Sequence, residues 1–148
     1  MKGGAGNLRV ALAGQGERWR LPEVPGGLDR YLANASRWVT VTPFVPPRFV
    51  KKHGSNSPEG QIFAELRSRG LPEPTEIEIR ALPLPGVLPE TQTRQFRHCV
   101  RVRQRGGPPP PVNVGWFVCL AFSTEVPGPI CLGYGSHFGL GLFINAEK

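Results

Sequence analysis

The chain has 148 residues, of which 39% are hydrophobic, and this length and content suit one domain with a modest core. Its 17 prolines and 19 glycines follow no fixed spacing, which excludes collagen-like and solenoid folds, while strand-sized apolar clusters exclude disorder throughout. The net charge of +7 favours a polyanionic partner, most commonly a nucleic acid.

Residues 1–27 are predicted to form an N-terminal extension or a partial strand segment, followed by one domain over 28–148. Within the extension, apolar residues alternate over Asn7–Ala13, which predicts a short strand. The stretch Gly14–Gly27 is rich in proline and glycine and is predicted to be a loop. Leu28–Ala35 is predicted to be a short helix, because its apolar residues fall on one side.

A strand and a basic stretch are predicted next along the chain. Trp38–Val45 is rich in β-branched and aromatic residues, as strands are, and it ends at Pro46-Pro47. The basic stretch Arg48–His53 follows and is predicted to be a surface loop.

The clearest helix signal begins after this loop. Ser57 is suited to cap a helix, Pro58 to occupy its first position, and Gly70 to end it. An apolar stripe that includes Ile62 and Leu66 recurs at helical spacing between these signals, so we predict an amphipathic helix there.

Four further strands are predicted in the second half of the chain. They are Glu76–Leu82, Phe96–Arg103, Gly115–Phe122 and Leu140–Ile144. Gly115–Phe122 is almost continuously apolar and is predicted to be a central strand, whereas Val126–Ile130 is predicted to be a turn. The order of elements predicts an α+β fold, closest to a ferredoxin-like (RRM-like) βαββαβ domain with an antiparallel sheet and a degenerate second helix.

A glycine-rich segment precedes the last predicted strand, with four glycines in the nine residues 133–141. Glycines permit close approach of backbone N–H groups to a phosphate chain, but they also permit a tight bend that binds nothing. The residues leave both interpretations open. In either case we expect at least one of Gly139 and Gly141 to have a positive φ or no room for a side chain.

Arginine outnumbers lysine, and five arginines fall within residues 94–105. They are Arg94, Arg97, Arg101, Arg103 and Arg105. The planar guanidinium binds phosphate through two parallel hydrogen bonds and stacks on bases, so these residues predict a track for RNA phosphates. Charges on an edge strand also prevent aggregation, and the two uses are compatible.

The three cysteines are few and widely spaced in the sequence. Cys99, Cys119 and Cys131 fit neither a disulfide framework nor a zinc site of paired Cys-x-x-Cys type. We therefore expect buried reduced thiols, with no metal and no cofactor. No signal peptide and no membrane-length apolar run is recognisable, so we expect a cytoplasmic location without membrane contact.

Several blocks resemble a family of CRISPR-associated proteins. The glycine-rich segment resembles the loop that precedes the final strand in the RAMP superfamily of RNA-binding proteins. Further blocks, in similar order and spacing, resemble the fused repeat-processing subunit of the type I-U (I-G) CRISPR system. These blocks are Trp38–Pro43, Gly70–Pro74, Gly128–Ile130, Leu132-Gly133 and His137–Phe143.

The resemblance covers roughly residues 28 to 145 and departs from the family at the N-terminus. There the family's subunit has an additional N-terminal half, which is similar to the scaffold subunit that holds the 5′ end of the guide RNA. We expect this chain to be a fragment or a minimal version, which leaves a scaffold role without support.

The resemblance implies binding of CRISPR repeat RNA, with the crRNA and other subunits of a type I effector complex as partners. It also implies an endoribonuclease that cleaves without metal and leaves a 2′,3′-cyclic phosphate; a non-catalytic structural subunit is the alternative. His137 is the leading candidate for proton transfer, followed by His53 and Tyr134, and each has an alternative in RNA contact or structure. The candidate RNA-binding residues are Arg48, Lys51, Lys52, Arg94, Arg97, Arg101, Arg103, Arg105, Gly133, Gly135, Ser136, Gly139 and Gly141.

Overall fold

The structure is a computed structural model that describes residues 15–17, 28–81, 112 and 114–146. Its helices and strands are α1 (Asp29–Leu32), β1 (Asn34–Thr40), α2 (Pro58–Ser68), β2 (Glu76–Arg80), β3 (Phe117–Pro127) and β4 (Phe143–Asn145). Two short 3-10 turns cover Gly54–Asn56 and Ser136–Phe138. The strands predicted over Asn7–Ala13 and Phe96–Arg103 lie outside the described residues.

The four strands form one antiparallel sheet in the order β2-β3-β1-β4. Because β1 and β2 are both antiparallel to β3, which lies between them, they are parallel to each other. Parallel strands need a crossover connection, and α2 lies on the connection from β1 to β2. The predicted α+β class with an antiparallel sheet is confirmed.

One face of the sheet carries the main core, because strand residues alternate between the two faces. Trp38 of β1 lies opposite Leu120 of β3, which in turn lies opposite Ile77 of β2. Helix α2 contributes Ile62 and Leu66 to the same cluster, and both are fully buried. The amphipathic stripe predicted for this helix therefore faces the sheet.

The predicted limits of α2 are confirmed by its capping contacts. The Ser57 hydroxyl accepts a hydrogen bond from the Gly60 N–H at 3.0 Å, and Pro58 is the first helical residue. Gly70 has a φ of +68°, the left-handed conformation that commonly follows the end of a helix. The helix limits are thus determined by residues next to them in sequence.

The strand limits differ from the prediction. Strand β1 begins at Asn34 and ends at Thr40, so Ala35 belongs to this strand and not to a preceding helix. Strand β3 extends to Pro127, into the region predicted as a turn, because its last residues pair with Asn34 and Ala35. The pairing register shifts between Ala35 and Arg37, which lets both strands continue past this irregularity.

The connection from β3 to β4 contains no α-helix. Its only helical part is the 3-10 turn Ser136–Phe138, which lies between two glycines with φ of +73° and +86°. The connection therefore carries the glycine-rich segment in place of a second helix. No helix in the described part of the chain is long and apolar enough to cross a lipid bilayer.

Candidate nucleic-acid interface

The basic stretch Arg48–His53, called the basic segment below, is held by one buried side chain of α2. The Gln61 amide oxygen accepts a hydrogen bond from the Arg48 N–H at 2.9 Å. Its amide nitrogen donates to the carbonyl oxygens of Arg48 and Asn56, at 3.2 and 3.0 Å. Because Gln61 is fully buried, a single amide holds both ends of the loop against the helix.

The basic segment presents its side chains to solvent. Arg48, Lys51, Lys52 and His53 are all exposed, and Phe49 between them is 75% exposed. Neither Arg48 nor either lysine forms a salt bridge with a carboxylate of the described residues. The segment therefore combines unpaired positive charge with an exposed aromatic ring.

The glycine-rich segment 133–141, called the glycine loop below, bends where glycine is required. All four of its glycines have a positive φ, between +58° and +92°, so the expectation for Gly139 and Gly141 is confirmed. A Cβ on Gly133 would lie 2.5 Å from the Val45 carbonyl oxygen, and one on Gly141 would overlap the Leu132 carbonyl oxygen. The glycines are needed for the path of the loop itself.

Most backbone N–H groups of the glycine loop already have partners. Those of Gly133, Tyr134 and Gly141 donate to the Glu65 carboxylate and to the carbonyl oxygens of Val45 and Pro43. Those of Ser136, Phe138, Gly139 and Leu140 donate to carbonyl oxygens within the loop. Within the described part of the chain, only the N–H groups of Gly135 and His137 in this loop have no hydrogen-bond partner. A phosphate cradle built from many loop N–H groups is therefore not formed.

The outermost side chains of the glycine loop are aromatic or titratable. Phe138 is 76% exposed, and its ring centroid lies 4.2 Å from that of exposed His137, with the rings tilted by 47°. Tyr134 is also exposed. No hydrogen bond or ring contact joins the side chains of His137, Tyr134 and His53, all of which the structure describes. The three catalytic candidates do not form a preassembled acid–base pair.

Helix α2 places the glycine loop beside the basic segment. The Glu65 carboxylate accepts the Gly133 N–H at 2.8 Å and pairs with Arg69 at 3.0 Å. Glu65 follows Gln61 by four residues, so the two side chains lie one above the other on one helix face. Successive turns of α2 thus hold the two loops, which we call together the loop interface.

The chain segment before Arg48 also connects the two loops. The Tyr134 N–H donates to the Val45 carbonyl oxygen at 2.8 Å. Val45 precedes Arg48 by three residues, so their Cα atoms are at most about 11 Å apart. The basic segment and the glycine loop are therefore neighbours on one side of the molecule.

The pKa values of both described cysteines are raised, which keeps their thiols protonated near neutral pH. Burial raises the pKa of Cys119 to about 11, and the neighbouring Glu78 carboxylate adds to this increase. Burial also raises the pKa of Cys131, against the opposing effect of Arg69. Both are free cysteines, and no group of three or more metal-ligating side chains occurs over the residues that the structure describes.

The arginines at 94, 97, 101, 103 and 105 and Cys99 lie outside the described residues, so the predicted arginine track remains a prediction. Sequence reasoning missed two interface residues, Phe49 and Phe138; the signal for Phe49 was an aromatic residue enclosed by cations in a loop. No family model, curated protein or solved structure matches the chain. The interpretation therefore depends on the interface itself.

Proposed function

We propose that this chain is an RNA-binding domain with a ferredoxin-like fold, and that its loop interface binds CRISPR repeat RNA. The observation that carries the proposal is that Gln61 and Glu65, four residues apart on α2, each hold one of the two loops. On one helix face they hold a loop of unpaired cations beside a loop that exposes Tyr134, His137 and Phe138. Cations with interleaved aromatic rings are the usual composition of RNA-binding surfaces.

The strand order supports the ferredoxin-like assignment. In a split β-α-β unit, two parallel strands joined by a helix crossover have another strand between them, as β1 and β2 have β3. In the proposed setting the chain acts in the cytoplasm, with the crRNA and other subunits of a type I CRISPR effector complex as partners. The resemblance of the sequence blocks supports these partners.

The salt dependence of RNA affinity tests the role of the basic segment. Alanine at Arg48, Lys51 and Lys52 together should reduce the slope of log K against log salt concentration by about 2, because each lost phosphate contact accounts for about 0.7 on a single strand. Fluorescence anisotropy with a labelled repeat RNA at several salt concentrations measures the slope.

The matched control removes the same charge elsewhere on the surface. It replaces Arg30, Arg67 and Arg80 by alanine; the first contacts a backbone carbonyl and the others form salt bridges with Glu73 and Glu78. An equal decrease of the slope in both triple variants would mean that net charge alone drives binding, and it would overturn the proposed interface.

The arginine track is tested in the same assay. If Arg97, Arg101 and Arg103 line an RNA path, replacing all three by alanine should weaken binding and lower the salt slope. Unchanged affinity at near-physiological salt, with the fold intact by circular dichroism, would assign these arginines to protection of a strand edge.

Metal-independent cleavage is the second candidate function, and the position of His137 favours it. The imidazole is exposed in the glycine loop and makes no side-chain hydrogen bond to described residues, so both nitrogens are accessible to a ribose hydroxyl or a leaving oxygen. His137→Ala should lower the cleavage rate about 100-fold in EDTA while RNA affinity stays within a few-fold.

The products identify the reaction, because attack by the 2′-OH leaves a 2′,3′-cyclic phosphate. A His137→Ala variant that cleaves like the parent would move the proton-transfer role to His53 or Tyr134. Failure of the parent to cut a verified repeat RNA would leave binding without cleavage as the function.

A further inference from the structure

The two most exposed large hydrophobic residues that the structure describes lie in opposite halves of the loop interface. Phe49 of the basic segment is 75% exposed, and Phe138 of the glycine loop is 76% exposed. Every other described phenylalanine is buried or half-buried. Exposure of about three quarters of two phenylalanines at one surface therefore points to a partner that covers them.

The surroundings of the two rings favour a polyanion over an apolar protein surface. Phe49 directly follows Arg48 and lies two residues before Lys51, and these cations have no carboxylate partner among the described residues. An apolar partner would have to bury these charges at a high desolvation cost, whereas phosphates next to stacked bases would pair with them.

The backbones that carry the rings are fixed before any ligand binds. Gln61 anchors the backbone at Arg48 and at Asn56, on either side of Phe49. Phe138 lies in a 3-10 turn closed by hydrogen bonds from Phe138 to Gly135 and from Gly139 to Ser136. A backbone that is already ordered lowers the entropy lost when the rings bind a ligand.

The second face of the sheet is unsuited to base stacking. Its central positions Val39 and Cys119 are buried, and Phe117 on the same face is only 6% exposed. The same face carries two carboxylates, of Glu76 and Glu78, and two guanidinium groups, of Arg37 and Arg80. Their charges cancel, and Arg80 is already paired with Glu78 at 3.1 Å, so this face presents no excess of positive charge to phosphates. The stacking platform of an RRM, with aromatic rings exposed on the central strands, is therefore absent from the described strands.

We propose that Phe49 and Phe138 are base-stacking platforms, so that the RNA crossing the loop interface is single-stranded there. Only an unpaired, splayed base offers a free face to a protein ring, whereas bases in a duplex are already stacked on both sides. The phosphates between the stacked bases lie against Arg48, Lys51 and Lys52. This inference rests on the proposed RNA-binding function and specifies the form of RNA that the interface selects.

The test compares three labelled probes of about 12 nucleotides, a length within the range of single-strand binding sites. They are an unstructured RNA, the same RNA as a duplex, and an abasic sugar-phosphate chain. Phe49→Ala and Phe138→Ala should each weaken single-strand binding about 10-fold and leave abasic and duplex binding within about 2-fold. Phe138→Trp should bind like the parent, and Phe138→Leu like the alanine variant, because leucine retains apolar bulk but has no π face.

A surface variant at the far end of the sheet, Thr124→Ala, is the control and should not change any affinity. The stacking inference would be overturned if the phenylalanine variants lost as much affinity for the abasic probe as for the single strand, or if they lost no affinity for the single strand. If the phenylalanine variants bound the single strand like the parent while the triple variant of Arg48, Lys51 and Lys52 bound it more weakly, the two rings would instead be covered by a protein partner. If the triple variant also bound the single strand like the parent, the proposed function itself would be overturned.

Discussion

Replacing Gln61 by leucine should destabilise the fold and weaken RNA binding together. Leucine has a similar volume to glutamine and suits a buried site, but it cannot make the three hydrogen bonds to the backbone of Arg48 and Asn56, which flank the basic segment. Each bond contributes about 0.5 to 1.5 kcal/mol to the free energy of unfolding, and an unpaired buried group costs more. Since the loop side is open to water, we expect a total loss of about 2 to 4 kcal/mol.

Urea unfolding followed by tryptophan fluorescence measures this loss, because Trp38 is fully buried in the native fold. In the RNA assay, the same variant should bind more weakly than the parent at every salt concentration. The three cations remain, so the salt slope should change little while the affinity falls. A decrease below about 1 kcal/mol in unfolding free energy, with unchanged RNA affinity, would refute the idea that Gln61 positions the basic segment.

Gln61→Glu separates the loss of hydrogen bonds from a change of shape. The introduced carboxylate still accepts from the Arg48 N–H, but as an anion it faces the carbonyl oxygens of Arg48 and Asn56. Burial and these oxygens raise the folded-state pKa of the introduced carboxyl above its unfolded value. Its protonated form, which donates, is therefore favoured at low pH, so this variant should regain stability relative to the parent as pH falls. A pH-independent difference between the two proteins would contradict the assigned contacts.

Three further predictions concern the contacts of the glycine loop and the core. Glu65→Ala should cost about 2 kcal/mol of unfolding free energy and Glu65→Gln less than half of that, since glutamine can still accept from the loop N–H; equal losses would contradict this. Gly141→Ala should cost more than about 3 kcal/mol, against about 1 to 2 for Gly139→Ala, because only the former meets a backbone oxygen. Cys119 should be alkylated at pH 8 about 100-fold more slowly than in the unfolded chain, as its pKa of about 11 against 9.0 implies; peptide mass spectrometry follows this modification.

The sequence predicted best those features whose causes are local. The limits of α2 depend on Ser57, Pro58 and Gly70, which act on the backbone beside them. The left-handed glycines were predictable for the same reason, because a positive φ is a property of one residue. Strand limits were predicted less well, since the end of β3 depends on pairing with Asn34 and Ala35, more than ninety residues earlier in the chain.

Whether the N–H groups of the glycine loop are free to bind a ligand was not predictable from the loop's own residues. Glycine-rich spacing suggested free N–H groups, but their acceptors are Pro43, Val45 and Glu65, which are distant in sequence. The exposure of Phe138 is equally a product of tertiary packing, because Phe143, five residues later in the chain, is fully buried. Local composition thus drew attention to these two loops without revealing which of their groups are exposed and unpaired.

If the proposed RNA binding is correct, the way in which α2 holds the two loops bears on how the domain would distinguish RNA from other polyanions. A net charge of +7 attracts any polyanion, whatever the order of its bases. Selectivity needs a fixed distance between the cations and the rings, and here Gln61 and Glu65 fix both loops to adjacent turns of one helix. Because the distance between adjacent helix turns is fixed, a ligand whose phosphates and bases do not match the spacing of the two loops can contact only one of them. We therefore expect substitutions at Gln61 or Glu65 to reduce the preference for single-stranded RNA over an abasic chain, and not only the affinity for either.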